Sequence, residues 1–253
     1  KSDVAADLPE KIENVFRAEM TEMQRALYLR VLAEVQTDVR RALELQPAAR
    51  ARTSILAALL RLRQICCDPR LVLDENHEGI GSAKLDMFRE LMAEFLQDGR
   101  RIIVFSQFLK MQRILLDEIK QLGVEEALWL HGGTRDRGSL VARFQDPNGP
   151  PVMVVSLKAG GTGLNLSAAD TVLHYDQWWN PAVEDQATDR AHRIGQTRVV
   201  HVVKLACQDT IEERILALSE RKRASANGIL EGGGDGLRSL TVAELQDLAG
   251  LSG

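Results

Sequence analysis

NPAVEDQATDRAHRIGQ, residues 180–196, is the stretch on which the reading of this chain turns. Asn180 has the side chain of a helix N-cap, Pro181 suits the first helical position, and Glu184 and Asp185 place acids in the first turn, where the helix dipole is positive. The spacing predicts a helix that runs on to Gly195, a glycine of the C-terminal kind. Gln186 and Arg190 stand four residues apart and Arg190 and Arg193 three, so on a helix all three share a face. Two guanidiniums held together suit a polyanion, because their planar forks match phosphate oxygens and do not deprotonate. The interleaved acids Glu184, Asp185 and Asp189 support a second description: a solvated helix face with an ordinary Asp189–Arg193 pair.

On both sides of this helix the chain turns short and apolar. DTVLHYD (170–176) precedes it and VVHVVKLA (199–206) follows. Upstream lie PVMVVS (151–156), ALWLHGG (127–133) and RIIVFS (101–106), the last an apolar run of the kind buried in parallel sheets. Residues 85–96, 108–122 and 134–144 read as helices between them, the first with Phe88, Leu91, Met92 and Phe95 inward. Five strands separated mostly by helices predict an α/β fold, a parallel doubly wound sheet with helices on both faces. Beyond the last strand, Thr210 and Glu213 have capping-box spacing and open a helix to about residue 226. GGGDG (232–236) then breaks the chain, and residues 241–248 form a short helix with a capping box of their own.

The amino-terminal third is different. Residues 1–19 show little periodicity and read as a leading linker. Leu27, Val31, Val35, Val39 and Leu43 recur every four residues and predict an amphipathic helix, interrupted by Pro47; a second helix runs from about residue 51 to 66 and ends before Asp68-Pro69. LVLDENH (71–77) imitates a strand followed by the acidic box of a nucleotide hydrolase. Such a box works beside a phosphate-binding GxxxxGK[ST] loop, and these residues contain none, nor any Gly-Lys pair. A polar loop is the expected reading.

At 253 residues the chain is long enough for one sizeable α/β domain with an appendage, and 45% hydrophobic with 27% charged residues is ordinary for a soluble globular protein. No apolar run approaches membrane-spanning length, so no membrane partner is expected. A net charge of −4 and a pI near 5.8 argue against binding nucleic acid with the whole surface but leave room for a local basic track. Cys66, Cys67 and Cys207 lack both a disulfide framework and metal-ligand spacing; reduced thiols and an intracellular location (cytoplasm or nucleoid, if the source is bacterial) are expected. His131, His174, His192 and His201 likewise lack ligand spacing and read as structural; no metal site is expected. Lys1 in place of Met suggests a longer parent protein.

In a parallel sheet, ligands collect beyond the carboxyl ends of the strands. Here those ends carry Ser106-Gln107, His131 to Thr134, Ser156 to Asn165, and Asp176 to Asn180. Glycines at 132–133 and 160–163 let backbone amides approach an anion without a Cβ in the way. Each of these segments also fits an ordinary turn, with Lys158 merely solvated. Trp178 and Trp179 suit either the core or a stacking platform for bases, and the family resemblance that follows favours the core.

DQATDRAHRIGQ resembles, almost letter for letter, the sixth motif of the Swi/Snf-type DNA translocases within the superfamily-two helicases. VFSQF (104–108), LHGGT (130–134), SLKAGGTGLNL (156–166) with AADTV (168–172), and WWNP (178–181) are similar to the successive second-lobe motifs of that family, in the family's order. Any one of them is weak; together they are specific, and they cover residues 84–226. KSDVAADLPEKIE (1–13) and LRQICCDPRLV (62–72) resemble, at scattered positions, the region joining the two motor lobes. The resemblance implies a RecA-like second helicase lobe over residues 81–226 with its closing helix, a linker and helical protrusion over 1–80, and a Gly-rich turn and short helix over 227–253.

It also implies roles. Gln107, Gly133, Thr134, Ser156 and Lys158 would lie on the DNA track. Gly161 and Gly163 would face a nucleotide, with Gln186 orienting an arginine or touching the phosphates. Arg190 and Arg193 resemble arginine fingers. ATP with magnesium would be bound mainly by an upstream RecA-like lobe of the same protein, with double-stranded DNA as partner and a monomer as the working state. Two other readings stay open: another superfamily-two RNA or DNA helicase, and a non-enzymatic nucleic-acid-binding module.

Overall fold

The sheet grows outward from β2 (Ile102–Ser106), whose IIVFS sequence is buried at every position and so needs cover on both faces. β4 (Val152–Ser156) and β5 (Thr171–His174), as buried as β2 at every position, flank it in parallel. β3 (Ala127–Leu130) pairs with β4 in parallel, and β6 (Val200–Cys207) with β5. β1 (Lys11–Ala18) completes a six-stranded sheet of order β1-β6-β5-β2-β4-β3. This computed structural model describes residues 8–73, 79–157, 163–225 and 240–251; the acidic stretch 74–78 and the GGGDG run at 232–236 lie outside them.

β1 is a correction. Residues 11–18 were expected within a linker, yet the Val200 amide donates to the Glu10 carbonyl (3.0 Å) and the Gln208 amide to the Ala18 carbonyl (2.9 Å), so the two strands advance together. As an edge strand β1 is mostly exposed or half-buried, and KIENVFRA therefore lacks the apolar run that identifies a central strand.

The chain divides into two units. The first, Lys1–Phe16, Asp86–Asp176 and Val183–Leu205, contains the body of the sheet. There α4 (Leu109–Gln121) packs on β2, β3 and β4, and α5 (Arg137–Gln145) on β3. α3 (Ala83–Gln97) turns Phe88, Leu91, Met92 and Phe95 inward as its spacing predicts, with Phe88 edge-on to Tyr175 at 5.7 Å. From β2 the chain passes through α4 to β3, returns to β4, then crosses to β5 on the other side. In open α/β sheets such a reversal marks where ligands bind, here at the carboxyl end of β2. The registers Ser106↔Ser156, Phe105↔His174 and Leu130↔Val155 bring four strand ends to that edge.

The second unit, Arg17–Leu85, Gln177–Ala182 and Ala206–Gly253, is mainly helical. α1 (Glu22–Leu45) and α2 (Ala48–Cys67) pack as a hairpin, with α7 (Ile211–Ser225) and α8 (Val242–Leu248) against α2. On α1, Leu27, Val31, Val35 and Val39 are buried as predicted, but Ala42 takes the next place and Leu43 is only half-buried. Steps of four drift around a helix of 3.6 residues per turn, and the stripe has moved on by then. Thr241 and Glu244 form the predicted reciprocal capping box. At α7 the Glu213 carboxylate accepts instead from the Asp209 amide (2.8 Å), one residue before the expected partner.

Three buried polar groups organise this unit. The Tyr28 hydroxyl accepts from the Ile211 amide at 2.8 Å, at the start of α7. Arg63, fully buried, donates to the Gln177 carbonyl and lies 4.5 Å from the Trp179 ring centre and 5.9 Å from that of Trp178. Both tryptophans are buried, as the core reading expects. Lys84 Nζ donates to both Glu212 oxygens at 2.5 Å, and Glu212 also accepts from the Cys207 amide at 2.9 Å. Among the described residues no helix is long and apolar enough to cross a membrane.

Candidate functional site

The edge of the sheet is assembled from the strand ends inward. Ser106 closes β2, and its hydroxyl donates to Asp176 Oδ2 at 2.5 Å. Gln107, the next residue, gives the same carboxylate its backbone amide (3.2 Å) and its Nε2 (2.7 Å). Three donors thus satisfy a carboxylate that is fully buried just past β5. Gln112, in the first turns of α4, donates to the Ser106 carbonyl at 2.6 Å and accepts from Trp129 Nε1 at 2.7 Å. The Trp129 ring lies 4.3 Å from that of His131, with the Arg113 guanidinium 5.7 Å from the Trp129 ring centre.

His131 then shapes the turn after β3. Its Nδ1 accepts from the Gly133 amide (3.1 Å), its own amide donates to Thr134 Oγ1 (3.0 Å), and its carbonyl accepts from the Thr134 amide (3.0 Å). A continuous run of hydrogen bonds and ring contacts therefore links Asp176, Gln107, Trp129, Gly133 and Thr134 across three strand ends. Ser156 is buried at the end of β4, in register with Ser106. Lys158 and Gly161 lie outside the described residues. Gly163 has φ +90°, a left-handed backbone conformation that glycine adopts without a side-chain penalty.

The arginine stretch departs from its predicted form. Asn180 does cap α6 (Pro181–Thr188), its Oδ1 accepting from the Ala182 amide at 3.0 Å. The helix ends at Thr188, not Gly195, and residues 189–196 form tight turns. The cause is competition for carbonyls. The Arg190 carbonyl accepts from the Leu166 amide (3.0 Å) and the Ala191 carbonyl from Gln196 Nε2 (3.1 Å), where a helix would have supplied Ile194 and Gly195. Gly195, at φ +99°, lets the chain turn back.

Consequently Gln186, Arg190 and Arg193 do not share one exposed face. Gln186 and Arg193 are exposed, whereas Arg190 is 7% exposed. Burial, and then the neighbouring Arg193 charge, lower the pKa of Arg190 from the ordinary arginine range. Two guanidiniums brought close against their mutual repulsion suit a site for a multiply charged anion. His174, buried and stacked on Phe105 at 5.3 Å, bonds Thr188 Oγ1 through Nε2 (3.0 Å), and His192 Nε2 meets the Pro9 carbonyl (2.7 Å). Both histidines are held by structural partners.

Among the described residues one group of candidate ligands is close enough to converge on a metal: Cys66, Cys207 and Glu212, in the helical unit. There the Lys84 ammonium already occupies both Glu212 oxygens.

Residues 83–195 match the Helicase conserved C-terminal domain, and residues 1–71 the SNF2-related domain. The Sulfolobus solfataricus SWI2/SNF2 ATPase C-terminal domain superposes with a TM-score of 0.72 at 32% identity, over 96% of this chain and 100% of that one. The chain belongs to the SWI2/SNF2 ATPase family.

The SWI2/SNF2 ATPase core of the same organism, solved in complex with double-stranded DNA, aligns with a TM-score of 0.75 and 34% identity over 98% of this chain and 52% of that one. A Bacillus subtilis protein named as the ATP-dependent helicase/translocase YwqA is 37% identical over 99% of this chain. The human SWI/SNF-related matrix-associated actin-dependent regulator of chromatin subfamily A member 1 is 34% identical over 88%. The chain spans 27% of the Bacillus protein and 22% of the human one.

Against this SWI2/SNF2 background, reading the sequence missed three side chains that hold the site together. Gln112 joins the Ser106 carbonyl to the Trp129 indole, and Gln196 reaches the Ser167 and Ala169 carbonyls as well as nearby main chain, so no spacing rule reveals them. Asp176 was visible as a polar residue past a strand, but not as the acceptor of both Ser106 and Gln107.

Proposed function

We propose that this chain is the second motor lobe of an ATP-dependent double-stranded DNA translocase, working inside the cell as part of a longer SWI2/SNF2 protein. The observation that carries the reading is the Leu166–Arg190 hydrogen bond (3.0 Å). It ties the turn bearing Arg190 and Arg193 to the loop that follows Ser156, so the residues for nucleotide and for DNA are joined by main chain.

In this reading Gln107, Gly133, Thr134, Ser156 and Lys158 follow the phosphates of one DNA strand. Gly161, Gly163 and Gln186 face the nucleotide. ATP, when bound, supplies the phosphoanhydride that is cleaved, and Arg190 and Arg193 stabilise charge on the transferring phosphoryl group. Magnesium and the phosphate-binding loop are assigned to an upstream lobe, since these residues contain no GxxxxGK[ST]. The chain on its own therefore hydrolyses no ATP.

The test uses the full-length protein and follows phosphate release with and without duplex DNA. An arginine finger contributes ~10³–10⁵ in rate, so Arg193→Ala is expected to abolish DNA-stimulated turnover. Turnover within twofold of the native protein removes the finger assignment. Stimulation by RNA and not by duplex DNA replaces the translocase with an RNA helicase.

A further inference from the structure

Gln196, the last residue of HRIGQ, is buried, and its side chain bonds main chain on every side. Its Nε2 lies 3.0 Å from the Ser167 carbonyl, 2.7 Å from that of Ala169 and 3.1 Å from that of Ala191. Its Oε1 accepts from the Thr197 and Arg198 amides, both at 3.0 Å. Its own amide donates to the Arg193 carbonyl at 2.9 Å. One amide side chain thus closes the base of the turn that carries Arg190 and Arg193. It also fastens that turn to the 163–169 loop, beside the Leu166–Arg190 bond.

We propose that Gln196 is a positioning residue for the two arginines: it sets where their guanidiniums stand relative to the loop after β4. The inference rests on the motor reading for its effect on turnover, but the tie is a statement about the folded chain alone. Few other side chains would serve. The position needs a donor to carbonyls and an acceptor from two amides on one short planar group, which a carboxamide supplies and a carboxylate or ammonium does not. A purely apolar side chain would leave buried carbonyls without donors and let Ala191 and Ala169 part. A displacement of about 1 Å at a group that acts in the transition state can lower the rate about 10²-fold.

The experiment compares the native full-length protein with Gln196→Met, Arg193→Ala and the double variant, in DNA-stimulated ATP hydrolysis and in amide hydrogen exchange. Gln196→Met is expected to lower kcat about 10²-fold with KM for ATP nearly unchanged, the sign of an interaction felt in the transition state. The Leu166, Thr197 and Arg198 amides are expected to lose protection while those of β2 keep theirs. In the Arg193→Ala background, Gln196→Met is expected to cost much less than it does alone. Full multiplication of the two effects, or unchanged exchange at Leu166, overturns the proposal. If Arg193→Ala leaves turnover intact, the finger reading fails by itself, and exchange at Leu166 decides the tie: loss upholds it, retention overturns it. If Gln196→Met also frees the β2 amides, Gln196→Glu replaces it, since it keeps the side chain's size and an acceptor for Thr197 and Arg198. The same two readings then apply.

Discussion

Replacing Lys84 by methionine isolates the energetics of the buried ion pair in the helical unit. Lys84 and Glu212 are both 0% exposed, so neither charge is relieved by water when its partner goes. Burial alone would lower the pKa of Lys84, but Glu212, with the Cys67, Cys207 and Cys66 thiols adding to it, outweighs burial and holds the ammonium charged. In the Lys84→Met protein Glu212 keeps the Cys207 amide and the weaker influence of Arg63 but loses its bonded ammonium. Breaking a buried pair in this way costs about 3–5 kcal/mol, against about 0–1 kcal/mol for an exposed pair such as Arg221–Asp247, at 62% and 37% exposure. The assay is denaturant unfolding followed by tryptophan fluorescence, since Trp178 and Trp179 are packed in the same unit.

The pH dependence has a definite sign. Burial pushes the Glu212 carboxyl up, and without Lys84 it rises further above the unfolded value of about 4.3. A group raised in the folded state stabilises fully below its unfolded pKa and loses that contribution as pH climbs through its folded pKa. The Lys84→Met deficit should therefore be smallest near pH 4 and grow toward pH 8. Lys84→Met with Glu212→Gln should recover most of it, because the glutamine still accepts from Cys207 without a charge. A deficit below about 1 kcal/mol at pH 8, or one that shrinks as pH rises, refutes the reasoning.

Ser106→Ala removes one of three donors from the buried Asp176 carboxylate and should cost about 1.5–3 kcal/mol, read by the same unfolding assay. Because Gln107 shares that carboxylate, the variant should also weaken duplex DNA binding in a fluorescence anisotropy titration. Asn180→Ala takes the acceptor from the Ala182 amide and should cost about 1 kcal/mol; Asn180→Asp, which keeps the cap, should stay within a few tenths.

What the sequence made legible depends on where the determining partners lie. β2 and β4 are covered on both faces, and their burial requirement is written as the apolar runs IIVF and VMVV. β1 needs cover at few positions and carries no such pattern. The end of α6 is fixed by Leu166 and by the side chain of Gln196, which claim carbonyls the helix would have used; a spacing rule confined to residues 180–196 cannot contain that. The tryptophans of WWNP were legible as core, but the buried Arg63 against them was not, since an arginine in an amphipathic pattern ordinarily faces water. For the candidate site, the strand ends marked the segments, and the family resemblance picked Gln107, Gly133, Thr134, Ser156 and Lys158 from them. Arg190 and Arg193 were named as neighbours, but their unequal exposure arises from the turn that replaced the helix.

The pairing of β1 with β6 bears on where this lobe can be cut. The match to the helicase C-terminal domain begins at residue 83, an inviting place to start a recombinant version. A protein begun there would lack residues 11–18 and leave β6 bare along its outer side, eight residues of VHVVKLAC that are buried at all but one position. An uncovered apolar strand with unpaired amides and carbonyls recruits its like from another molecule. Such a truncate should form soluble oligomers or precipitate, whereas one that retains the opening strand should remain monodisperse.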